Sequence, residues 1–295
     1  MTSGYSKIKQ VLWIILFANL AVAFAKIFVG LSINSASILA DGFHSITDGS
    51  GNVVGLIGIA LASRPDDDDH PYGHAKFETL SSLVIVGMLV YLSIQIISSA
   101  YGKFINPVTP QIEVSTFIVM AATFAINVVV TVLEHKQGVK YHSSILISDA
   151  MHTRSDLFVT LGVIASLVLV KMGMPVWIDP LVSLVVAGFI LKAAFDVFKM
   201  SSKILLDSRA TDESEIREVL SSLTQIKGMH RIRSRGTEQN LFIDLHVWAD
   251  KDMTLSETHE LSHQIEELLK EHYAPAKVQV ISHMEPFIEK YERRR

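Results

Sequence analysis

Two apolar stretches of this chain each contain a histidine and an aspartate four residues apart. The first stretch, ASILADGFHSITD, holds His44 and Asp48, and the second, SDAMHTRSD, holds His152 and Asp156. Residues four apart share one face of a helix, so each pair directs an imidazole and a carboxylate the same way. Ionisable groups are expensive in hydrocarbon unless they meet one another, water or a cation. The two pairs are therefore candidate functional residues.

Together the two pairs provide four ligands for one metal ion. Two helices that each supply an imidazole nitrogen and a carboxylate oxygen make a tetrahedral set of the type that binds zinc. This set favours Zn²⁺ and tolerates Cd²⁺ or Co²⁺, whereas an all-oxygen set favours Mn²⁺. The chain contains no cysteine, so thiolate ligands and disulfides are excluded.

Six apolar runs in the first two thirds of the chain are long enough to cross a bilayer, at about 20 residues per crossing. The Lys and Arg residues of the short connections fall mostly on one side, which by the positive-inside rule is the cytoplasm. We therefore expect a multi-pass cell-membrane protein with both termini in the cytoplasm. The predicted spans are residues 8–31, 36–62, 79–101, 113–134, 142–171 and 178–200.

The loop between the second and third spans, RPDDDDHPYGHAKFE, combines an acidic run with two histidines. The spacing of Asp67, His70 and His74 lets their side chains converge on one ion, which predicts a metal entry or accessory site on the cytoplasmic side. The alternative is that the acidic run is solvated and only caps the following helix.

Residues 208–295 are predicted to form a separate cytoplasmic domain, with residues 1–207 forming the membrane domain. Amphipathic and alternating patterns indicate a ferredoxin-like αββαβ order. An open three-stranded sheet of this size gains stability from a partner, which favours a dimer. The formal net charge of −4 gives no indication of nucleic-acid binding. The predicted helices are 212–226 and 256–272, and the predicted strands are 230–235, 240–249 and 278–285.

The order of these motifs along nearly the whole chain resembles the cation diffusion facilitators, proton-coupled exporters of divalent transition metals. The resemblance implies a homodimer with six transmembrane helices per protomer and a cytoplasmic domain that binds metal. It also implies a tetrahedral transport site between the second and fifth spans, at His44, Asp48, His152 and Asp156. The same resemblance assigns a loop site to Asp67, His70 and His74.

The resemblance also points to metal ligands in the cytoplasmic domain. His230, His259 and His283 match positions that bind zinc in members of that family. The His-x-Asp of some members is here His283-Met284-Glu285, and the longer glutamate side chain alters the geometry. His246, in the segment FIDLHVW, is a further candidate, although a strand histidine is more often simply packed.

Other polar residues in the spans have structural as well as functional interpretations. Asp41 and Asp149 each precede a predicted histidine ligand by three residues, so either could orient that ligand or line a water path. Asn19 and Asn52 are expected to form hydrogen bonds between helices. Lys26 is expected to extend its ammonium group toward the membrane surface.

The ligand set also predicts the mechanism. Metal binding requires neutral imidazole and ionised carboxylate, so zinc and protons compete for His44 and His152. Inward proton flow can then drive metal export, with Zn²⁺ as the substrate and no prosthetic cofactor.

The alternatives are a membrane-anchored metal-dependent hydrolase and a metal sensor. A hydrolase requires an open coordination position and usually an HExxH element, and the chain contains no such element. A sensor that is merely anchored has no need of HxxxD pairs in the middle of the membrane. A transporter, not an enzyme, is therefore the preferred hypothesis.

Overall fold

The computed structural model describes residues 2–32, 45–46, 49–106, 114–175, 177–237 and 239–288. Its contacts divide the chain into two compact units, Met1–Ser202 and Lys203–Arg295. The predicted residues His44, Asp48 and Asp41 lie outside the described part of the chain. The first unit is helical and the second combines helices with a sheet, so the predicted fold class is confirmed.

Helices correspond to the predicted membrane spans, but residues 36–44 and 47–48 of the second span lie outside the described part of the chain. Three of the described helices are both long and apolar enough to cross a membrane by length and composition: α1, α3 and α6. Several helices extend beyond the predicted apolar runs, because the polar residues at their ends also form helical backbone hydrogen bonds. The helices are α1 (Thr2–Ser32), α2 (Ser50–Ala62), α3 (Lys76–Ile105), α4 (Val114–Lys140), α5 (Ser144–Lys171) and α6 (Ile178–Leu205).

Glycines on α2 let this helix approach its neighbours closely. A Cβ atom on Gly55 would lie 3.2 Å from a Leu12 methyl group of α1, and one on Gly58 would clash with Ser81 of α3. Small residues that permit such contacts drive helix association in membranes, where lipid and apolar side chains are equally hydrophobic. The spacing of glycines along α2 therefore fixes α1 and α3 against it.

Helix α5 carries the second HxxxD pair, and a buried carboxyl group of α3 holds its first turn. Glu78 Oε1 accepts hydrogen bonds from Ser143 Oγ at 2.6 Å and from the Ile145 backbone N–H at 3.3 Å. The first N–H groups of a helix have no partner within the helix, and a negative charge there is favourable. Glu78 therefore fixes where α5 begins and how it is anchored to α3.

The second unit has the predicted αββαβ order. Helix α7 ends at Leu220, earlier than the predicted residue 226, since the Ser221 hydroxyl bonds the Glu218 carbonyl at 2.6 Å and competes with the helical pattern. Strand β2 pairs antiparallel with β1 and parallel with β3, giving the sheet order β1-β2-β3. The elements are α7 (Glu213–Leu220), β1 (Gly228–Gly236), β2 (Asn240–Ala249), α8 (Leu255–His272) and β3 (Lys277–Pro286).

The two faces of this sheet differ in chemistry. Alternate residues of β2, such as Ile243, Leu245 and Val247, are buried and form a core with Leu261 and Ile265 of α8. Successive side chains of a strand point to opposite faces. The residues between these apolar positions, His246 among them, therefore lie on the face of the sheet that α8 does not cover.

Candidate metal-binding sites

Polar side chains line a cavity of about 150 Å³ inside the helical unit. Helices α1 to α5 all contribute to its wall, and so does Ser45. A cavity of this kind is the setting in which ionisable residues are tolerated within a membrane domain. Its polar lining consists of Asn19, Lys26, Ser45, Asn52, Thr123, Asn127, Asp149, His152, Thr153, Asp156 and Thr160.

His152 and Asp156, the described half of the predicted tetrahedral set, both line this cavity. His152 is only 6% exposed, and neither of its ring nitrogens has a hydrogen-bond partner in the part of the chain that the structure describes. A buried polar group without a partner is costly. A metal ion in the cavity would satisfy it, and the role of His152 as a ligand stays a prediction.

A chain of hydrogen bonds surrounds the same cavity. Asn19 Nδ2 donates to Asn52 Oδ1 at 2.9 Å, and Asn52 Nδ2 donates to Asp149 Oδ2. The predicted hydrogen bond between helices through Asn19 and Asn52 is thus confirmed. Asp149 lines the cavity beside His152 and is almost fully buried.

Two charged residues of this region behave differently from what the sequence indicated. Lys26 is 6% exposed, lines the cavity and donates to Ser45 Oγ at 2.8 Å, so the prediction that it extends toward the membrane surface was wrong. Glu134 of α4 is fully buried and accepts the Thr153 hydroxyl at 3.0 Å. Sequence reasoning missed Glu134. Its one available signal was a carboxylate at the edge of an apolar span.

The structure brings Asp67, His70 and His74 together in the loop before α3. One ligand atom from each lies within 4.8 Å of the others. Asp67 Oδ1 is 3.1 Å from His70 Nδ1, and Asp67 Oδ2 is 3.3 Å from His74 Nε2. Gly73, with φ of 81°, makes the turn that returns His74 to Asp67, a conformation that glycine adopts without strain.

Hydrogen bonds prepare this loop group for a cation. His74 Nδ1 lies 2.9 Å from the carbonyl of Pro65, an arrangement in which Nδ1 donates and the ring is held with Nε2 toward Asp67. The backbone N–H of His70 donates to Asp67 at 2.7 Å and, with both imidazoles nearby, holds the pKa of Asp67 below its ordinary value. The carboxyl group therefore remains an anionic ligand at neutral pH.

A second group of potential ligands lies on the face of the three-stranded sheet that α8 does not cover. Strand register places His246 opposite both His230 and His283. One ligand atom each from His230, His246 and Glu285 lies within 4.8 Å of the others. A β-bulge interrupts β1 after His230, with Arg231 at φ of 49°, and such bulges re-aim neighbouring side chains.

Glu285 is the centre of this sheet cluster. Its Oε1 lies 2.7 Å from His246 Nδ1 and 3.8 Å from His283 Nε2, and its Oε2 lies 3.5 Å from His230 Nε2. The indole N–H of Trp248 donates to Oε2 at 3.0 Å. The hydrogen bond from His246, reinforced by Trp248, holds the pKa of Glu285 below its ordinary value. The longer glutamate arm thus still reaches all three imidazoles.

His259 is the one predicted cytoplasmic ligand that lies apart from the sheet cluster within the chain. It is exposed on α8, with its Nε2 3.2 Å from Nε2 of His263. Helical rotation of about 100° per residue places His259 on the side of α8 opposite Leu261 and Ile265, which pack on the sheet. His259 therefore lies on the opposite side of α8 from the sheet that carries His283.

A helical membrane unit with a polar cavity, followed by a small αββαβ unit with a histidine-rich face, defines a membrane transporter for metal cations. The cation efflux transmembrane domain matches residues 12–206, and the cytoplasmic domain of cation efflux proteins matches residues 209–287. The chain belongs to the cation efflux, or cation diffusion facilitator, family. It is a divalent cation efflux transporter and not an enzyme.

Similar proteins span almost the same length as this chain. The manganese efflux system proteins MneS and MneP of Bacillus subtilis are each 27% identical to it, over 274 and 290 residues. These alignments cover 92% and 95% of this chain, and 93% and 97% of the relatives. The cation-efflux pump FieF of Shewanella oneidensis is 26% identical over 282 residues, covering 93% of this chain and 94% of the relative.

Proposed function

We propose that this protein exports Zn²⁺ from the cytoplasm in exchange for protons. The single observation that carries this proposal is His152, a buried imidazole with no hydrogen-bond partner among the described residues, in a polar cavity that Asp156 also lines. An imidazole and a carboxylate on one helix face are half of a tetrahedral zinc set. The other half is His44 and Asp48. Ser45, the next residue after His44, contributes to the same cavity wall.

Proton coupling follows from competition for the same atoms. Zinc needs a neutral imidazole and an ionised carboxylate, so each binding event displaces any protons held there. A site that takes zinc from the cytoplasm and meets a more acidic solution on the other side exchanges the metal for protons. The Lys and Arg distribution supports cytoplasmic termini. With that orientation, the loop and sheet clusters would face the cytoplasm, from which the metal is exported.

Mn²⁺ is the second candidate substrate, and two observations favour it. The relatives MneS and MneP are named as manganese efflux proteins. The cavity region also contains the carboxylates of Asp149 and Glu134 in addition to Asp156, and oxygen-rich sites suit Mn²⁺ better than imidazole-rich ones. The imidazoles of His44 and His152 favour zinc, so the choice depends on which groups contact the ion.

The two cytoplasmic clusters are proposed to bind the same metal before transport. Asp67, His70 and His74 would receive it at the entrance of the membrane domain. His230, His246, His283 and Glu285 would bind it on the sheet, together with His259 of a second protomer. Helix α8 leaves the ligand-bearing face of the sheet uncovered, so a second protomer of a homodimer could contact this face. The match to the family's cytoplasmic domain supports a homodimer.

Metal flux into sealed vesicles tests the proposal. Purified protein in proteoliposomes should accumulate Zn²⁺, with Mn²⁺, Cd²⁺, Co²⁺ and Fe²⁺ compared at equal concentration. Asp156→Asn removes a ligand charge while keeping the side-chain shape, and it should abolish the flux. Asp196→Asn, on an exposed position of α6, is the matched control and should transport normally. If Asp156→Asn transports Zn²⁺ as fast as the parent protein, the assigned transport site is wrong.

A further inference from the structure

Two buried carboxyl groups lie beside the cavity, and one oxygen atom of Glu134 has no hydrogen-bond donor among the described residues. Glu134 on α4 and Asp149 on α5 are almost fully buried, and their carboxyl groups contact one another. Glu134 Oε2 receives the Thr153 hydroxyl and Asp149 Oδ2 receives the Asn52 amide, but Glu134 Oε1 has no hydrogen-bond partner within the described residues. Ionised carboxylates are only acceptors, so this contact requires a cation or a proton.

The unpartnered imidazole of His152 lies near the same point. A Cβ atom on Gly51 of α2 would be 2.9 Å from Asp149 Oδ1 and 3.6 Å from the His152 ring carbon Cδ2. The two side chains therefore approach the same position on α2, and both line the cavity. A neutral imidazole offers one lone pair to a metal, and no described group uses the lone pair of His152.

The charges of the described residues also favour binding of a divalent cation. Glu134, Asp149 and Asp156 are three carboxylates, and Lys26 is the one ammonium group that lines the cavity in the described part of the chain. With all four ionised, two negative charges are left over. Unbalanced charge in a buried environment is strongly unfavourable, and either protons or a divalent metal ion would neutralise it.

We propose that Glu134 and Asp149 form a second holding position for the transported cation, linked to the His152–Asp156 position through the shared imidazole of His152. This inference rests on the proposed function. The ligand atoms of Glu134, Asp149 and His152 do not all lie within 4.8 Å of one another, unlike those of the loop group. We therefore assign the two carboxylates as the ligands of the second position and the imidazole as the link. Two carboxylates and one imidazole are a harder ligand set than two of each. The second position therefore favours Mn²⁺ relative to Zn²⁺.

The test is the ratio of Mn²⁺ to Zn²⁺ transport by the full-length protein. Glu134→Gln keeps the side-chain shape and the Thr153 hydrogen bond but removes the charge. The KM for Mn²⁺ should rise roughly tenfold, the effect typical of losing a group that supports a metal site, while that for Zn²⁺ changes much less. Glu134→Asp should retain part of the Mn²⁺ affinity. Asp196→Asn on α6 controls for loss of a carboxylate from a membrane helix, and Asp149→Asn provides the same test if Glu134→Gln does not fold.

Three results of this experiment would overturn the proposal, and they can be told apart. Equal loss for both metals with a lower melting temperature would show that Glu134 only stabilises the helices, which overturns the proposal. If Glu134→Gln alters the pH dependence of transport but leaves Mn²⁺ binding in detergent unchanged, the carboxyl pair carries protons only, which also overturns the proposal. A Glu134→Gln variant that transports both metals like the parent protein would overturn it as well. Failure of the proposed function looks different, because the unmodified protein would then transport no Zn²⁺.

Discussion

His246 on the central strand and Glu285 on the neighbouring parallel strand are in direct contact, with His246 Nδ1 2.7 Å from Glu285 Oε1. The Trp248 indole fixes the other carboxylate oxygen at 3.0 Å. Two donors therefore hold the carboxylate in one orientation while His230 and His283 approach it from either side. Such second contacts orient a ligand before metal arrives and raise the affinity of the site.

Replacing Glu285 tests whether this arrangement binds metal. In a fragment of residues 207–295, which contains its own hydrophobic core, Glu285→Gln should lower zinc affinity by roughly 10- to 100-fold in calorimetry, as expected for loss of an oriented ligand. Asp244→Asn removes an exposed carboxylate two residues from His246 on the same strand and should have no effect. Equal affinities for Glu285→Gln and the parent fragment would exclude a metal site centred on Glu285.

The pH dependence of zinc binding to the same fragment should come from the histidines. The contact with His246 lowers the pKa of Glu285, so this carboxylate stays ionised even at pH values below its ordinary pKa. Its contribution to stability is lost only as pH falls through the lowered pKa. Free imidazole titrates near pH 6.5. Zinc affinity measured by calorimetry should therefore fall between about pH 7.5 and 5, where protons displace the metal from imidazole. Constant affinity over this range would contradict imidazole ligation.

Gly51 should be required for the geometry of the transport cavity. In Gly51→Ala the new methyl group would lie 2.9 Å from Asp149 Oδ1, closer than a carbon atom tolerates, so Asp149 or α2 must move. We expect a loss of stability of about 1–3 kcal/mol from overpacking, together with a large fall in metal flux. Gly87→Ala on α3, where no atom lies within 4 Å of the added group, is the matched control. Normal flux from Gly51→Ala would show that Asp149 can move without consequence.

His44→Asp should broaden the range of transported metals toward Mn²⁺ and Fe²⁺. Exchange of an imidazole for a carboxylate makes the ligand set harder and adds negative charge, both of which lower the preference for zinc. Competition between metals in the vesicle assay measures the change. An unaltered metal profile would mean that ligands other than His44 determine selectivity.

The fold and part of the candidate site could be predicted from the sequence because both leave periodic signals. The apolar runs predicted the helices, and alternation around FIDLHVW predicted β2. Residues close in sequence, such as Asp67, His70 and His74, could be grouped from their spacing, and the structure places them together. Their role as a metal site stays a prediction.

Contacts between distant segments could not be predicted in the same way. Glu134 and Thr153 lie on separate helices, and only the packing of α4 against α5 reveals that they meet. The prediction that Lys26 extends toward the membrane surface was wrong because the position of Lys26 along α1 does not show which side chain it faces. His259 matched a ligand position in sequence, but its side of α8 depends on which face of that helix packs on the sheet.

Proton-driven zinc flux is the most direct test of the proposed exchange of zinc for protons through the cavity that His152 lines. Proteoliposomes containing either the parent protein or His152→Ala should be compared with and without an imposed pH gradient, with internal zinc followed by a fluorescent indicator. The account predicts zinc accumulation in vesicles whose interior is acidic, little accumulation without the gradient, and none for His152→Ala. Undiminished flux through His152→Ala, or flux in the parent that ignores the gradient, would contradict it.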